Sequence, residues 1–408
     1  MTRTTRVAVI GGGISGLTAL HELRKNGLDA ILYEASDRVG GRILTYPDQS
    51  GTNVELGSTY FHKYYYGVNK LLSEIGLSDR IEPKPRGKQA YVKDGRVVTV
   101  YPQADLIKSW LSRRIGWRDI ESLLKIKRYG KDHCDKGCDA LERFYTNDLG
   151  FVETLREDSY FNEGYDTRFT DSALVQQLTP SIRDYLLSPI TRKQVFQDPE
   201  EMTTTLGAAL LGVAGIELQT LKGGMEEIPR KLRDLHRMRV KLGTPVISIH
   251  EEEKVVISME RDQEFDYVVI ALPFPQANAL YEIDGKLEYS KGNVLLVRGD
   301  IRNPYREIDT LYIRDEDHRI NSITRYNDIF KIETTREDPD LDEFFVNPDL
   351  IAKQEWKQAL PKHPVGTRYP SMKQSERIYL VGDHWFPCME VAVDTAIKAA
   401  KEIVRSAA

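Results

Sequence analysis

The sequence predicts an α/β protein in which one parallel-sheet domain is assembled from three chain segments and an α+β domain is inserted between them. Three observations lead there. Short apolar runs without alternation, the texture of strands covered on both faces, occur at Val7–Ile10, Ala30–Tyr33, Tyr267–Leu272 and Ile378–Val381. The first of these runs straight into Gly11-x-Gly13-x-x-Gly16 and a helical stretch. Two blocks of different texture, one largely helical and one mixed and turn-rich, separate the three parallel-sheet regions.

In order along the chain, residues 6–10 read as a buried strand and the glycine loop follows. Leu17 to Asn26 reads as a helix closed by Gly27, a C-terminal stop signal. Ala30 to Tyr33 is a second buried strand, ending in Glu34. Leu71 to Ile75 continues a helix that Gly76 ends. Residues 90–101 read as a hairpin with Asp94-Gly95 at its turn. Residues 104–214 are mostly helical: Ile107, Leu111 and Ile115 share one face, and Trp117, Ile120 and Leu124 another. A helix spans Glu226 to Leu235, strands lie near 246–250 and 254–259, and Pro273 and Pro275 end the strand at 267–272. Residues 276–364 are mixed. A last strand, Gly382-Asp383 and a helix from about Val391 close the chain. The resulting partition is 1–85, 215–275 and 365–408 for the nucleotide domain, and 86–214 with 276–364 for the substrate domain.

Composition excludes several classes. The chain has 408 residues, 40% hydrophobic and 29% charged, with a net charge of −5. That is ordinary globular material with no global basic field for nucleic acid. No run of about 18 apolar residues is present. The opening apolar run is too short for a signal peptide and leads into the glycine loop, so a cytoplasmic location is the simplest expectation. Three cysteines, Cys134, Cys138 and Cys388, imply no disulfide framework. Cys134 and Cys138 without a second pair make a poor zinc site, and no metal is expected.

The glycine loop sits after a strand and opens a helix, as dinucleotide binding requires. Gly11 permits the tight turn, Gly13 lets the backbone approach a pyrophosphate, and Gly16 lets helix and strand pack closely. The helix N-terminus, with Ile14 and Ser15, then faces the phosphates. Glu34, 18 residues past Gly16, is placed to accept hydrogen bonds from ribose hydroxyls. The stretch Glu34-Ala35-Ser-Asp-Arg-Val-Gly40-Gly41-Arg42 adds a second close approach of backbone. Its Arg42 can fork onto a phosphate.

From Val7 to Arg42 the sequence resembles the opening of the flavin amine oxidase superfamily: monoamine and polyamine oxidases, L-amino acid oxidases, protoporphyrinogen oxidases and phytoene desaturases. Three further stretches carry the resemblance. Glu55-Leu56-Gly57-Ser58-Thr59 resembles the second flavin loop. Leu221 to Val246 resembles the segment whose Val, here Val246, meets the adenine. Leu380-Val381-Gly382-Asp383 with Met389-Glu390-Val391-Ala392-Val393 resembles the C-terminal flavin motif. The resemblance implies a Rossmann-like FAD-binding domain and hydride transfer from a small organic substrate, an amine or amino-acid-like molecule, to flavin N5. Oxygen or another acceptor would reoxidise the flavin. Desaturation of a protoporphyrinogen- or carotenoid-like substrate and a non-redox flavin isomerase are the alternatives. Val391 stands where the family usually has glycine. Monoamine oxidases attach their flavin through a Cys; Thr367 to Pro370, the corresponding region, has none, which implies non-covalent FAD.

On the substrate side no acid–base pair stands out, and the catalytic residues stay open. His384-Trp385 resembles the His-Trp of monoamine oxidases; Trp385 either sandwiches substrate or packs beneath the flavin. Lys291 is the only candidate by position for the lysine that some amine oxidases hold near N5, although a surface role is favoured. Tyr60, Phe61 and His62 follow the second flavin loop and are pocket candidates. Residues 108–136 carry nine Lys/Arg and four Asp/Glu, a net of +5, with Trp110 and Trp117 among them. Such a helix can lie on an anionic membrane; a solvated face is the favoured expectation.

Overall fold

The apolar runs of the first, third and last regions come together in a computed structural model of the protein, which describes residues 4–48, 51–146, 151–158, 160–161, 164–212, 217–252, 254–314, 316 and 320–407. They form a five-stranded parallel sheet in the order Val240–Lys241, Asp29–Tyr33, Arg6–Ile10, Tyr267–Ile270, Ile378–Leu380. Val7 pairs with Ala30 on one side and Tyr267 on the other, and Ile10 with Tyr33 and Ile270. Alternate residues face opposite sides. Val7, Val9, Leu32 and Val269 pack against Leu17, Leu20 and Leu23 of the helix Ile14–Lys25 and Ala396, Ile397 and Ala400 of the helix Met389–Ala407. Ala8, Ile10, Val268 and Ile270 pack against Phe144, Phe151, Ile257 and Phe265. Both faces are covered, which is why the strands show no polar alternation. Burying each of the three leucines contributes about 1.5–3 kcal/mol relative to exposure.

The helix Ile14–Lys25 begins three residues earlier than the sequence pattern suggests, because Gly13 itself is its N-cap. It stops at Asn26, and Gly27 takes a left-handed φ of +85°.

The second large sheet has seven strands in the order Phe345–Trp356, Gly292–Ile301, Ile329–Thr334, Ser322–Tyr326, Thr310–Tyr312, Gln89–Lys93, Arg96–Tyr101. Its last two strands are the predicted hairpin. Asp94 and Gly95 both have positive φ (50° and 69°), as a two-residue primed turn demands. The block read as mixed therefore contains long strands. They escaped because Phe345–Trp356 is a mostly exposed edge, and because its pairing with Gly292–Ile301 shifts register twice, which breaks the period of two. Helices Gln103–Leu111, Trp117–Thr146, Ser188–Val195 and Thr204–Gly212 fill the helical block. Among the described residues no helix is long and apolar enough to cross a membrane.

Candidate cofactor and substrate site

The glycine loop divides its labour by geometry. A Cβ on Gly16 would overlap the carbonyl oxygen of Gly11, and one on Gly11 would press on the Ala271 carbonyl. Those two glycines serve packing. A Cβ on Gly13 meets no protein atom within 4 Å, and its φ of −72° is open to any residue. Gly13 is thus bare toward open space rather than toward protein. No side chain caps the helix that follows, so its first N–H groups are left for an external acceptor. Ser15 is buried and Ile14 half-buried.

Glu34 lies against this loop. Its Oε2 accepts the Gly12 N–H at 2.6 Å, and its Oε1 accepts the Ser36 N–H and Oγ–H, both at 2.8 Å. The Gly243 N–H donates to the Ser36 carbonyl and the Thr244 N–H to the Glu34 carbonyl, at 2.8 and 2.9 Å. These bonds draw the stretch before half-buried Val246 to the same strand end; Ala35 is exposed. Gly41 (φ +55°) runs beside Gly13, where an added Cβ would come within 3.3 Å of the Gly13 Cα.

The guanidinium fork of Arg42, which the sequence aims at a phosphate, is closed onto Asp383: 2.8 and 2.6 Å to the two carboxylate oxygens. Arg42 also donates to the Ala359 carbonyl at 3.0 Å. Burial opposes its charge, but Asp383 outweighs burial and the guanidinium is raised above its ordinary value. The Arg42 carbonyl accepts the Ser58 N–H at 3.0 Å, and a Cβ on Gly57 would overlap that same carbonyl oxygen. The Leu56 carbonyl accepts the Trp356 indole N–H at 2.8 Å. Gly382 takes φ +143° and its N–H donates to Thr395 Oγ1 at 3.0 Å. The second loop, Arg42 and the C-terminal motif thus meet at one place.

The aromatic candidates divide. His384 is buried, pushed down to about 4 by burial, with its Nδ1 3.3 Å from the Tyr289 hydroxyl. Trp385 is buried too. Its indole N–H donates to the Pro370 carbonyl at 2.8 Å, and its ring belongs to the same core as Phe151 and Val391. Packing accounts for those contacts. Val391 is fully buried in that core, and Cys388 packs against it, its thiol pushed up to about 12 by burial. His62 stacks on Tyr65 at 4.9 Å and is pushed down to about 4 by burial, Arg86 adding to the effect. The Tyr60 phenol is raised by burial, with Tyr312, Glu333 and Tyr326 adding to the rise and Arg86 opposing it.

Lys291 is exposed just before the strand Gly292–Ile301 and does not line this place. The buried lysine beside the second loop is Lys331, on the neighbouring strand opposite Leu296. Its Nζ donates to Thr59 Oγ1 at 3.2 Å and lies 3.0 Å from Glu333. Glu333 also accepts from Lys193 at 2.8 Å and from Ser322. Burial opposes ionisation of Glu333, but Lys193 and Lys331 overcome it and hold the carboxyl at about 2. Lys84, 3.4 Å from the Tyr326 hydroxyl, is pushed down to about 8 by burial, with Lys331 and Lys193 adding to the effect. Sequence reasoning missed this cluster. One signal was available: Lys331 and Glu333 are opposite charges two apart in the strand Ile329-Phe-Lys-Ile-Glu-Thr334, which is buried throughout.

Among the described residues no group of three or more His, Cys, Asp or Glu could hold a metal ion. The side chains of Cys134 and Cys138 lie outside the described residues.

Residues 14–291 match the family described as flavin containing amine oxidoreductase, more than half of the chain. The chain belongs to the flavin-containing amine oxidoreductase family. The chain is 26% identical over 245 residues to an L-amino acid oxidase of Cerastes cerastes, covering 49% of this chain and 46% of that protein. It is 40% identical over 77 residues to the human flavin-containing amine oxidase B, covering 19% and 15%. The chain thus spans less than half the length of these relatives. Its fold is similar to that of putrescine oxidase bound to putrescine, with a TM-score of 0.73, 15% identity and 99% of each chain covered. FAD is the cofactor of the family, and the residues here fit it. Gly13 leaves open space beside the helix end, the helix behind it is uncapped, and Glu34 is fixed at the neighbouring strand end.

Proposed function

We propose that the protein is an FAD-dependent oxidoreductase that removes a hydride from a small, amino-acid-like amine, with FAD held non-covalently. Residues 1–85, 215–275 and 365–408 form the Rossmann-like FAD domain, and 86–214 with 276–364 the substrate domain. When bound, FAD supplies the hydride acceptor. Gly13 and the uncapped helix end hold the pyrophosphate, Glu34 the ribose, and the Arg42–Asp383 pair keeps the second loop in register.

The observation that carries the substrate reading is the cation cluster at Thr59, the last residue of the second flavin loop. Lys331 and Lys193 pair with Glu333, and Lys84 is within electrostatic reach of Glu55 and Glu333. Glu55, the next nearest carboxylate, is engaged by the Met225 N–H and Thr45 Oγ1, both at 2.8 Å. Three ammonium groups against the two carboxylates Glu333 and Glu55 leave one positive charge in excess in a poorly hydrated place, which a substrate carboxylate would balance. Burial raises the phenols of Tyr60, Tyr312 and Tyr326, so they remain neutral O–H donors able to orient the same substrate.

Anaerobic mixing with matched pairs, an L-amino acid and the amine lacking its carboxylate, tests this. The expected result is bleaching of the flavin's visible band by the amino acid and weak or no bleaching by the simple amine. Equal bleaching by both would overturn the carboxylate reading. Turnover without net oxidation of substrate would favour an isomerase. The exposed apolar residues of the helices Gln103–Leu111 and Trp117–Thr146 favour a second reading, desaturation of a lipid-soluble substrate; bleaching by such a substrate alone would establish it.

A further inference from the structure

The corner between the helices Gln103–Leu111 and Trp117–Thr146 is apolar on the outside. Ile107 is 54% exposed, Trp110 40%, Leu111 68%, Trp117 64% and Leu124 57%. The inner faces of the same helices are separately occupied. Ile115 and Ile126 are buried in the helical core, Leu106, Ile120 and Leu123 pack against it, and Ser109 bonds the Thr99 backbone of the hairpin. Ile107, Trp110 and Leu111 form one helical stripe, and Trp117 and Leu124, two turns apart, another. The Trp110 and Trp117 rings join the stripes edge to face at 6.2 Å. A helix that is apolar on both faces is not explained by its own core.

Charge identifies what covers this surface. Lys108, Arg113, Arg118, Lys127, Arg128 and Lys131 are exposed around it. Of the acids, Asp119 is turned inward to the Gly116 N–H and Thr179 Oγ1, Glu121 is paired with Lys125 at 3.0 Å, Asp105 with Lys108 at 2.8 Å and Asp135 with Lys131 at 3.8 Å, so the outward positive charge rests chiefly on Arg113, Arg118, Lys127 and Arg128. The segment is net positive in a chain of net charge −5. A second copy docked on this face would bring two cationic surfaces together. An anionic lipid surface would accept Trp and Leu at headgroup depth while phosphates meet the Arg and Lys groups.

We propose that this corner docks the protein peripherally on an anionic lipid bilayer, with Trp110, Leu111 and Trp117 entering the interface and the surrounding Arg and Lys groups binding lipid phosphates. The solvated face expected from sequence accounts for the charges but not for the two exposed tryptophans.

Flotation of the FAD-loaded protein with phosphatidylglycerol–phosphatidylcholine vesicles tests it, with phosphatidylcholine alone as the control. The expected result is flotation with the anionic vesicles only, partial release by salt, and a blue shift of tryptophan emission. The W110S/W117S double variant and, separately, R113E/R118E should each lower the bound fraction at least about tenfold while keeping flavin colour and thermal midpoint. Wild type that stays unbound while yellow and folded would overturn the proposal. So would unchanged binding of W110S/W117S, or a self-associated wild type that this variant converts to monomer, which would make the surface a contact between copies.

Discussion

Arg42 and Asp383 form a two-pronged ion pair across 341 positions of sequence, with both carboxylate oxygens engaged at 2.8 and 2.6 Å. The pair joins the strand-following loop of the first flavin motif to the start of the last one. Because the Arg42 carbonyl also receives the Ser58 N–H, one residue holds three of the proposed flavin-binding segments in register.

Removing one partner should therefore cost more than removing both. Asp383→Asn leaves a largely buried guanidinium without its counter-charge, and a loss of about 2–3 kcal/mol is expected, toward the low end because Arg42 is about a third exposed. FAD affinity should fall at least tenfold. R42M/D383L should recover part of the stability in denaturant titrations but none of the FAD affinity. Recovery of both would mean that the pair is only structural.

The glycines of the first loop should separate folding from cofactor binding. A Cβ at Gly13 meets no protein atom within 4 Å, so Gly13→Val should give a folded protein with an unchanged thermal midpoint that fails to retain FAD. Gly16→Val should not fold, because its side chain has no space beside Gly11. Circular dichroism and flavin absorbance of the two variants distinguish the effects.

Lys331→Met should lower kcat/KM for a carboxylate-bearing amine by at least about a hundredfold, if its charge-assisted contact is worth about 3 kcal/mol at the site. Lys291→Met, at the exposed position just before the strand Gly292–Ile301, should leave turnover unchanged. Steady-state kinetics on both variants provide the check, and equal effects would contradict the placement of Lys331.

Glu390 was visible in the sequence only as part of a motif, yet it is fully buried and accepts the N–H groups of Gly67 and Val68 at 2.7 and 2.9 Å. Burial raises its carboxyl from 4.5 to about 7, beside Asp394, which is raised in the same direction. The folded chain thus holds this proton more tightly than the unfolded chain. The associated stability is present below about pH 4.5 and is lost as pH rises through about 7. Relative to Glu390→Gln, wild type should lose stability as the pH rises across that window. Thermal melts at several pH values measure it, and parallel pH profiles would contradict it.

The nucleotide-binding unit was legible because its signals are local. Glycine spacing, non-alternating apolar runs and an acid at a strand end all lie within one short stretch. The lysine cluster was not, because Lys84 follows the strand Ile81–Pro83, Lys193 lies on the helix Ser188–Val195 and Lys331 on the strand Ile329–Thr334, and they meet only when these separate elements pack together. Trp385 shows the limit of motif reading: its motif marks the neighbourhood, but its bond to the Pro370 carbonyl is what shows how the ring is held. The exposed Trp110 and Trp117 were legible as a pattern, and only the packing of the opposite faces shows which side is left to solvent.

The most direct measurement is the visible spectrum of the purified protein, before and after incubation with FAD, followed by acid precipitation. The expected result is the two-banded spectrum of oxidised flavin at one FAD per chain, with all of the yellow colour in the supernatant. A folded protein that stays colourless with added FAD would contradict the cradle formed by Gly13 and Glu34. Flavin carried into the pellet would contradict its non-covalent retention.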